Sequence, residues 1–174
     1  MNGESLSEYR FEPLRHSHDR SRFQCGVPEL DRYLYHQAGQ DARRKVAAPF
    51  VMVDPSGAIA GYYTLSAYTV RLAELPESYA KRLPRYPRLP ATLVGRLAIS
   101  REHRGRNLGR KLLMDALHRS LRNSAIVASI AVVVEAIDES AESFYRRHGF
   151  APLLGQTNKM FLAMTTIEKA FKPL

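Results

Sequence analysis

The chain has 174 residues, 45% of them hydrophobic and 25% charged, and a net charge of +9, which is enough for one soluble domain with a real core. No stretch approaches the roughly 20 consecutive apolar residues of a membrane span, and residues 1–5 lack the basic start and apolar core of a signal peptide. The single cysteine, Cys25, excludes an internal disulfide and fits a reducing, cytoplasmic setting.

Residues 9–14 read as a short first strand and residues 15–25 as polar loop. Pro28 suits a first helical turn. Leu30, Tyr33, Leu34, Ala38 and Ala42 then share one face at helical spacing, in a helix closed by the cations of Arg43, Arg44 and Lys45. Its Asp31, Arg32, Asp41 and Arg43 read as solvation. Residues 50–53 and 58–65 form a hairpin turned at Pro55-Ser56-Gly57, with strand character to about Leu72. Pro76 opens a short helix ending near Lys81. Over residues 83–90, three prolines forbid helix or central strand. That segment is extended and basic and carries Tyr86, as either a stiff spacer or a binding loop.

Residues 92–99 are an apolar strand leading into Arg101-Glu102-His103-Arg104-Gly105-Arg106-Asn107-Leu108-Gly109-Arg110-Lys111. A helix follows, with Leu108, Leu112, Leu113, Ala116, Leu117 and Leu121 on one face. Strand, Gly- and Arg-rich turn and helix bring free N–H groups and the positive helix end to one spot, suited to phosphate or pyrophosphate. Ten of the 26 Lys/Arg residues but only one acid, Glu102, lie in residues 81–111, so the whole positive excess sits there. Such concentration favours a polyanionic partner. His103 beside the turn reads as a solvent-facing residue or a phosphate contact. Residues 126–134 look like a strand buried on both faces. Asp138 caps a helix through Ala141, Phe144, Tyr145 and His148 that stops at Gly149, and residues 150–154 and 159–165 are two more strands. The order implies a mixed α/β fold, one domain over residues 1–174. Its N-terminal part is antiparallel, and parallel strands with crossover helices follow.

This order resembles the GNAT acetyltransferases, which move acetyl from acetyl-CoA to an amine. Arg104-Gly105-Arg106-Asn107-Leu108-Gly109 is similar to the family's Q/R-x-x-G-x-G/A pyrophosphate loop, with Asn107 where the first glycine usually stands. Asn is the residue best able to replace Gly at positive φ. Ala141-Glu142-Ser143-Phe144-Tyr145-Arg146-Arg147-His148-Gly149-Phe150 is similar to its A-x-x-F-Y-x-x-x-G-F helix. A finer resemblance is to the GNAT toxins of bacterial toxin–antitoxin pairs, which acetylate the amino acid on charged tRNA. It rests on Phe23-Gln24-Cys25-Gly26, Leu30-Asp31-Arg32-Tyr33-Leu34, Gly61-Tyr62-Tyr63-Thr64-Leu65-Ser66, the Leu-Pro-Arg-Tyr-Pro segment and Gly95-Arg96-Leu97-Ala98. It implies an aminoacyl-tRNA substrate, a ribbon-helix-helix antitoxin and a homodimer.

The resemblance implies acetyl-CoA at Leu97, Ala98, Ile99, Arg104, Gly105, Arg106, Asn107, Leu108, Gly109 and Arg110. It also makes Tyr145 the catalytic acid for the departing thiolate. Glu135 is either a base or water relay or a polar strand end. Lys81, Arg82, Arg85, Arg88 and Arg96 exceed what one cofactor needs and suit RNA, with Tyr86 for a stacked base. The rival readings are an acetyltransferase acting on a protein N-terminus, a lysine or a small-molecule amine, and a pure binding module. No histidine spacing suggests a metal.

Overall fold

The computed structural model describes residues 8–173. The apolar and β-branched runs become strands β1 (Arg10–Pro13), β2 (Ala48–Val53), β3 (Ile59–Arg71), β4 (Arg88–Ile99), β5 (Ala131–Glu135), β6 (Ala151–Pro152) and β7 (Lys159–Ala163). Their order in the sheet is β1-β2-β3-β4-β5-β7-β6. β1 and β2, β2 and β3, β5 and β7, and β6 and β7 pair antiparallel, whereas β4 and β5 are parallel over Thr92–Val94 and Val132–Val134. This is the mixed sheet expected, flanked by helices α1 (Pro28–Arg32), α2 (Ala38–Arg43), α3 (Glu77–Ala80), α4 (Leu108–Asn123), α5 (Glu139–Arg147) and α6 (Met164–Phe171). No described helix is long and apolar enough to cross a membrane.

The chain forms two compact units, one running to Leu65 and joined by Arg96–Ala116, the other combining Ser66–Gly95 with the segment from Leu117 onward. The first is built around Phe23, Tyr33, Leu34, Val51, Tyr62 and Ala98. In the second, Val70, Leu89, Ala131, Val133, Leu153 and Phe161 form the core. Gly61 on β3 has a packing reason to be glycine. A Cβ there would lie 2.8 Å from Ile99 Cδ1, 3.0 Å from the Ala98 carbonyl and 3.2 Å from Leu112 Cδ2. The carbonyl belongs to the backbone and cannot swing aside. Gly61→Ala is therefore expected to lose about 1–3 kcal/mol of stability in urea unfolding. An unchanged midpoint would contradict this close packing of β3 on β4 and α4.

Several expectations need correction. The helix over residues 28–43 is not regular: a π turn, Tyr33–Gln37, separates α1 from α2, with Ala38 N–H bonded to Tyr33 O. Asp31 and Asp41 are structural rather than merely solvated. Asp31 accepts from Cys25 N at 2.9 Å, and Asp41 accepts from the Tyr33 hydroxyl and Gln37 Nε2, each at 2.9 Å. Arg88, Leu89 and Pro90 belong to β4, an inner strand. Pro90 is tolerated because its carbonyl serves, accepting from Ile130 N at 2.9 Å, while pairing with β5 starts only at Thr92. Ile126 and Val127 are 84% and 63% exposed, because both N–H groups bond back to Asn123 O and extend the end of α4; β5 begins only at Ala131. The strand expected over 159–165 ends at Ala163. There α6 begins, burying Met164 and Ile167 and packing on β5 and β7.

Candidate active site

Within the first unit, β4 carries Leu97, Ala98 and Ile99 to a 3-10 turn, Arg101–His103, and then residues 104–107 lead into α4. Gly105 and Asn107 have φ of 80° and 59°, so asparagine does occupy a left-handed position and the loop turns without its usual glycine. Leu108 is 2% exposed and anchors the helix start. The N–H groups of the first turn, from Leu108 to Lys111, have no acceptor inside the helix. Arg104 and Arg110 are exposed. Asn107 and Arg110, with Phe11, Lys111, Met114 and Asp115, line a cavity of about 420 Å³. Tyr63 donates to Asp115 at 2.6 Å and so fixes α4 to β3.

The turn is held on three sides. Arg101 N–H donates to Gln24 O at 2.8 Å, and the Arg104 guanidinium donates to Cys25 O. Arg106 Nη1 donates to the Tyr9 hydroxyl at 3.2 Å. His103 is neither solvent-facing nor open to phosphate: it is 7% exposed, with Nε2 3.0 Å from Asp54 Oδ2. Asp54 stands in the β2–β3 turn. Burial pushes its carboxyl up, but hydrogen bonds from Ser56, Ala58 and His103 outweigh that, so its net pKa is lowered. Sequence reasoning missed this pair; the one available signal was Asp54 two residues before Ser56, the pattern of an Asx turn. Cys25 is 4% exposed, and burial pushes its thiol up to about 11, so no reactive thiolate sits here.

Arg96, also in this unit, lays its guanidinium 3.5 Å above the Tyr33 ring, a contact typically worth about 0.5–2 kcal/mol. Burial and the bond to Asp41 push the Tyr33 phenol up to about 12.

The second unit carries the other candidates. Asp138 caps α5 through Ala141 N at 2.8 Å, and Gly149 takes φ 91° at its end, as the sequence implied. Tyr145 on this helix is 5% exposed, packed between Phe144 and Phe150 at ring distances of 5.3 and 5.4 Å. The other buried tyrosines, Tyr9, Tyr33, Tyr62 and Tyr63, each have a hydroxyl hydrogen bond within the protein. Among the described residues, the Tyr145 hydroxyl has none. Burial raises its pKa, keeping the phenol protonated. Glu135 ends β5, is exposed and accepts from Asn158 Nδ2 at 3.1 Å. Lys81, Arg82, Arg85 and Arg88 are all exposed, as is Tyr86 at 64%. Arg96 therefore lies in a different unit from these four.

The acetyltransferase (GNAT) domain family matches residues 50–152. The chain belongs to the GNAT acetyltransferase family. A probable toxin TacT from Sinorhizobium fredii is 30% identical over 166 residues, covering 90% of this chain and 91% of the relative. A tRNA-acetylating toxin from Mycobacterium tuberculosis is 31% identical over 76% of this chain and 78% of its own. Among solved structures, AtaT complexed with acetyl-methionyl-tRNAfMet superposes with a TM-score of 0.88 at 31% identity, covering 94% of this chain and 99% of AtaT. AtaT bound to the C-terminus of the antitoxin AtaR and acetyl-CoA has a TM-score of 0.81 at 27% identity, over 95% and 99%.

For a GNAT enzyme the donor is acetyl-CoA, and this loop suits its pyrophosphate. Two left-handed residues turn the backbone, the first-turn N–H groups of α4 are free of intrahelical partners, and Arg104 and Arg110 supply charge. Gly109→Asp would place a side chain and a negative charge at that approach. Acetyl-CoA binding by calorimetry should be lost while circular dichroism stays native. Retained binding would put the anion site elsewhere.

Proposed function

We propose that this acetyltransferase is a cytoplasmic toxin that acetylates the α-amine of aminoacyl-tRNA and so blocks translation. The observation that carries the reading is the similarity, over nearly the whole of both chains, to AtaT complexed with acetyl-methionyl-tRNAfMet. The exposed cations at Lys81, Arg82, Arg85 and Arg88 support it, since an RNA backbone is the partner such a cluster suits. Arg96 adds a guanidinium already held on Tyr33. The whole of residues 1–174 acts as one domain, because the GNAT match runs through parts of both units.

The residues divide the work as follows. Arg104, Gly105, Arg106, Asn107, Leu108, Gly109 and Arg110 hold the pyrophosphate, and the backbone of Leu97, Ala98 and Ile99 pairs with the pantetheine arm. Acetyl-CoA held there would supply the activated acetyl thioester for transfer to the amine. The α-amine of an aminoacyl ester is less basic than lysine, so much of it is neutral near pH 7 and no strong base is needed. Tyr145 holds the proton for the departing sulfur. Its burial disfavours phenolate, and among the described residues its hydroxyl carries no competing bond. The toxin works as a homodimer and is silenced by a ribbon-helix-helix antitoxin; the AtaT–AtaR structures support an antitoxin partner.

The test is cell-free translation. Purified protein should arrest synthesis only when acetyl-CoA is supplied, and preincubation with a ribbon-helix-helix antitoxin should restore it. Translation that continues with acetyl-CoA present would refute the toxin reading.

A further inference from the structure

We propose that His103 and Asp54 form a positioning pair that holds the pyrophosphate loop in its binding conformation. This rests on the assignment of residues 104–110 to acetyl-CoA. His103 is the last residue of the 3-10 turn before Arg104. Its Nε2 lies 3.0 Å from Asp54 Oδ2, with 9% of the His103 side chain and 15% of the Asp54 side chain exposed. A carboxylate only accepts, so Nε2 carries the proton of this bond. Nδ1 is buried and has no hydrogen-bond partner among the described residues. For stability alone this is a poor choice, because an apolar side chain would fill the space without stranding a polar atom. What histidine adds here is a directed bond.

Asp54 is well suited to be the fixed end. Its Oδ1 accepts from Ser56 N at 2.9 Å, Ser56 Oγ at 2.6 Å and Ala58 N at 3.0 Å, which locks the β2–β3 turn. Oδ2 is then turned to His103. The Tyr9 ring stands edge-on to His103, with centroids 6.1 Å apart, and its hydroxyl accepts from Arg106 Nη1. The residue before the loop and a residue inside it are thus tied to one wall of the first unit. A tether of this kind raises the fraction of molecules whose loop is ready to bind, and apparent affinity scales with that fraction.

The experiment is calorimetric titration of acetyl-CoA into the wild type, His103→Leu, His103→Gln, Asp54→Asn, the double variant His103→Leu/Asp54→Asn, and Gly109→Asp. Asp54→Asn keeps the Oδ1 acceptor for the turn but turns an uncharged amide toward Nε2, which removes the charge-assisted bond. Loss of the bond should weaken binding about 10–100-fold in His103→Leu and in Asp54→Asn, and the double variant should be no weaker than either. His103→Gln, which keeps a donor near the Nε2 position, should bind within about twofold of wild type. Turnover of the His103 and Asp54 variants at saturating acetyl-CoA should be unchanged. Wild-type affinity in folded His103→Leu or Asp54→Asn overturns the proposal, as do additive losses in the double variant. If His103→Leu does not fold, Asp54→Asn and His103→Gln decide. Loss of binding in Gly109→Asp alone leaves the loop assignment standing and removes only the pair. Retained binding in Gly109→Asp removes both.

Discussion

Replacing Tyr145 by phenylalanine should lower turnover about 10²–10⁴-fold and leave acetyl-CoA affinity nearly unchanged. The change removes one oxygen from a side chain whose ring is packed between Phe144 and Phe150. That packing survives, so stability should move little. Among the described residues no hydrogen bond is lost, because the hydroxyl makes none with them. Whatever the substitution costs must appear in the reaction, where the departing sulfur would go without its proton. The pH profile gives a second readout. Burial raises the Tyr145 pKa above the ordinary 10.0, so the acid stays loaded as pH rises and the alkaline limb of the rate profile should lie above that value. A purified Tyr145→Phe protein with normal turnover would remove this residue from the chemistry.

Arg85→Glu combined with Arg88→Glu should abolish acetylation of charged tRNA while sparing acetyl-CoA binding. Both residues are exposed, so reversing their charge disturbs no packing. Neither lies in the loop that takes the pyrophosphate. In the wild type, each phosphate neutralised releases counterions, so log K should fall by about 0.7–0.9 per contact for each tenfold rise in salt. The double variant should give a shallower slope in a filter-binding titration. A salt-insensitive wild type would separate the basic segment from RNA recognition.

How much of this was legible depends on where the deciding interaction lies in the chain. The β2–β3 hairpin, α4 and α5 are written locally. Asp54-Pro55-Ser56-Gly57 has turn chemistry, α4 has one apolar stripe, and α5 has its own cap, its own stop and acids before bases. Asn107 was readable as a left-handed residue for the same reason. The errors lie where distant partners decide. The run 126–134 is apolar except for Ser129, so composition could not show that pairing starts only at Ala131. Pro90 looked incompatible with an inner strand because the sequence does not say that pairing with β5 begins beyond it. In α6, Thr165 and Thr166 favour strand locally, yet Met164 and Ile167 at helical spacing find a surface on β5 and β7, and packing wins. His103 and Asp54 are far apart in sequence, so neither announces the other.

The most direct measurement is mass spectrometry of the aminoacyl ends after purified protein is incubated with acetyl-CoA and a mixed pool of charged tRNAs. N-acetylated aminoacyl-adenosine should appear from the charged tRNAs, vanish with Tyr145→Phe, and fall to background with Arg85→Glu/Arg88→Glu. A pool left unacetylated by protein that binds acetyl-CoA and modifies a peptide amine under the same conditions would contradict the assignment of aminoacyl-tRNA as substrate.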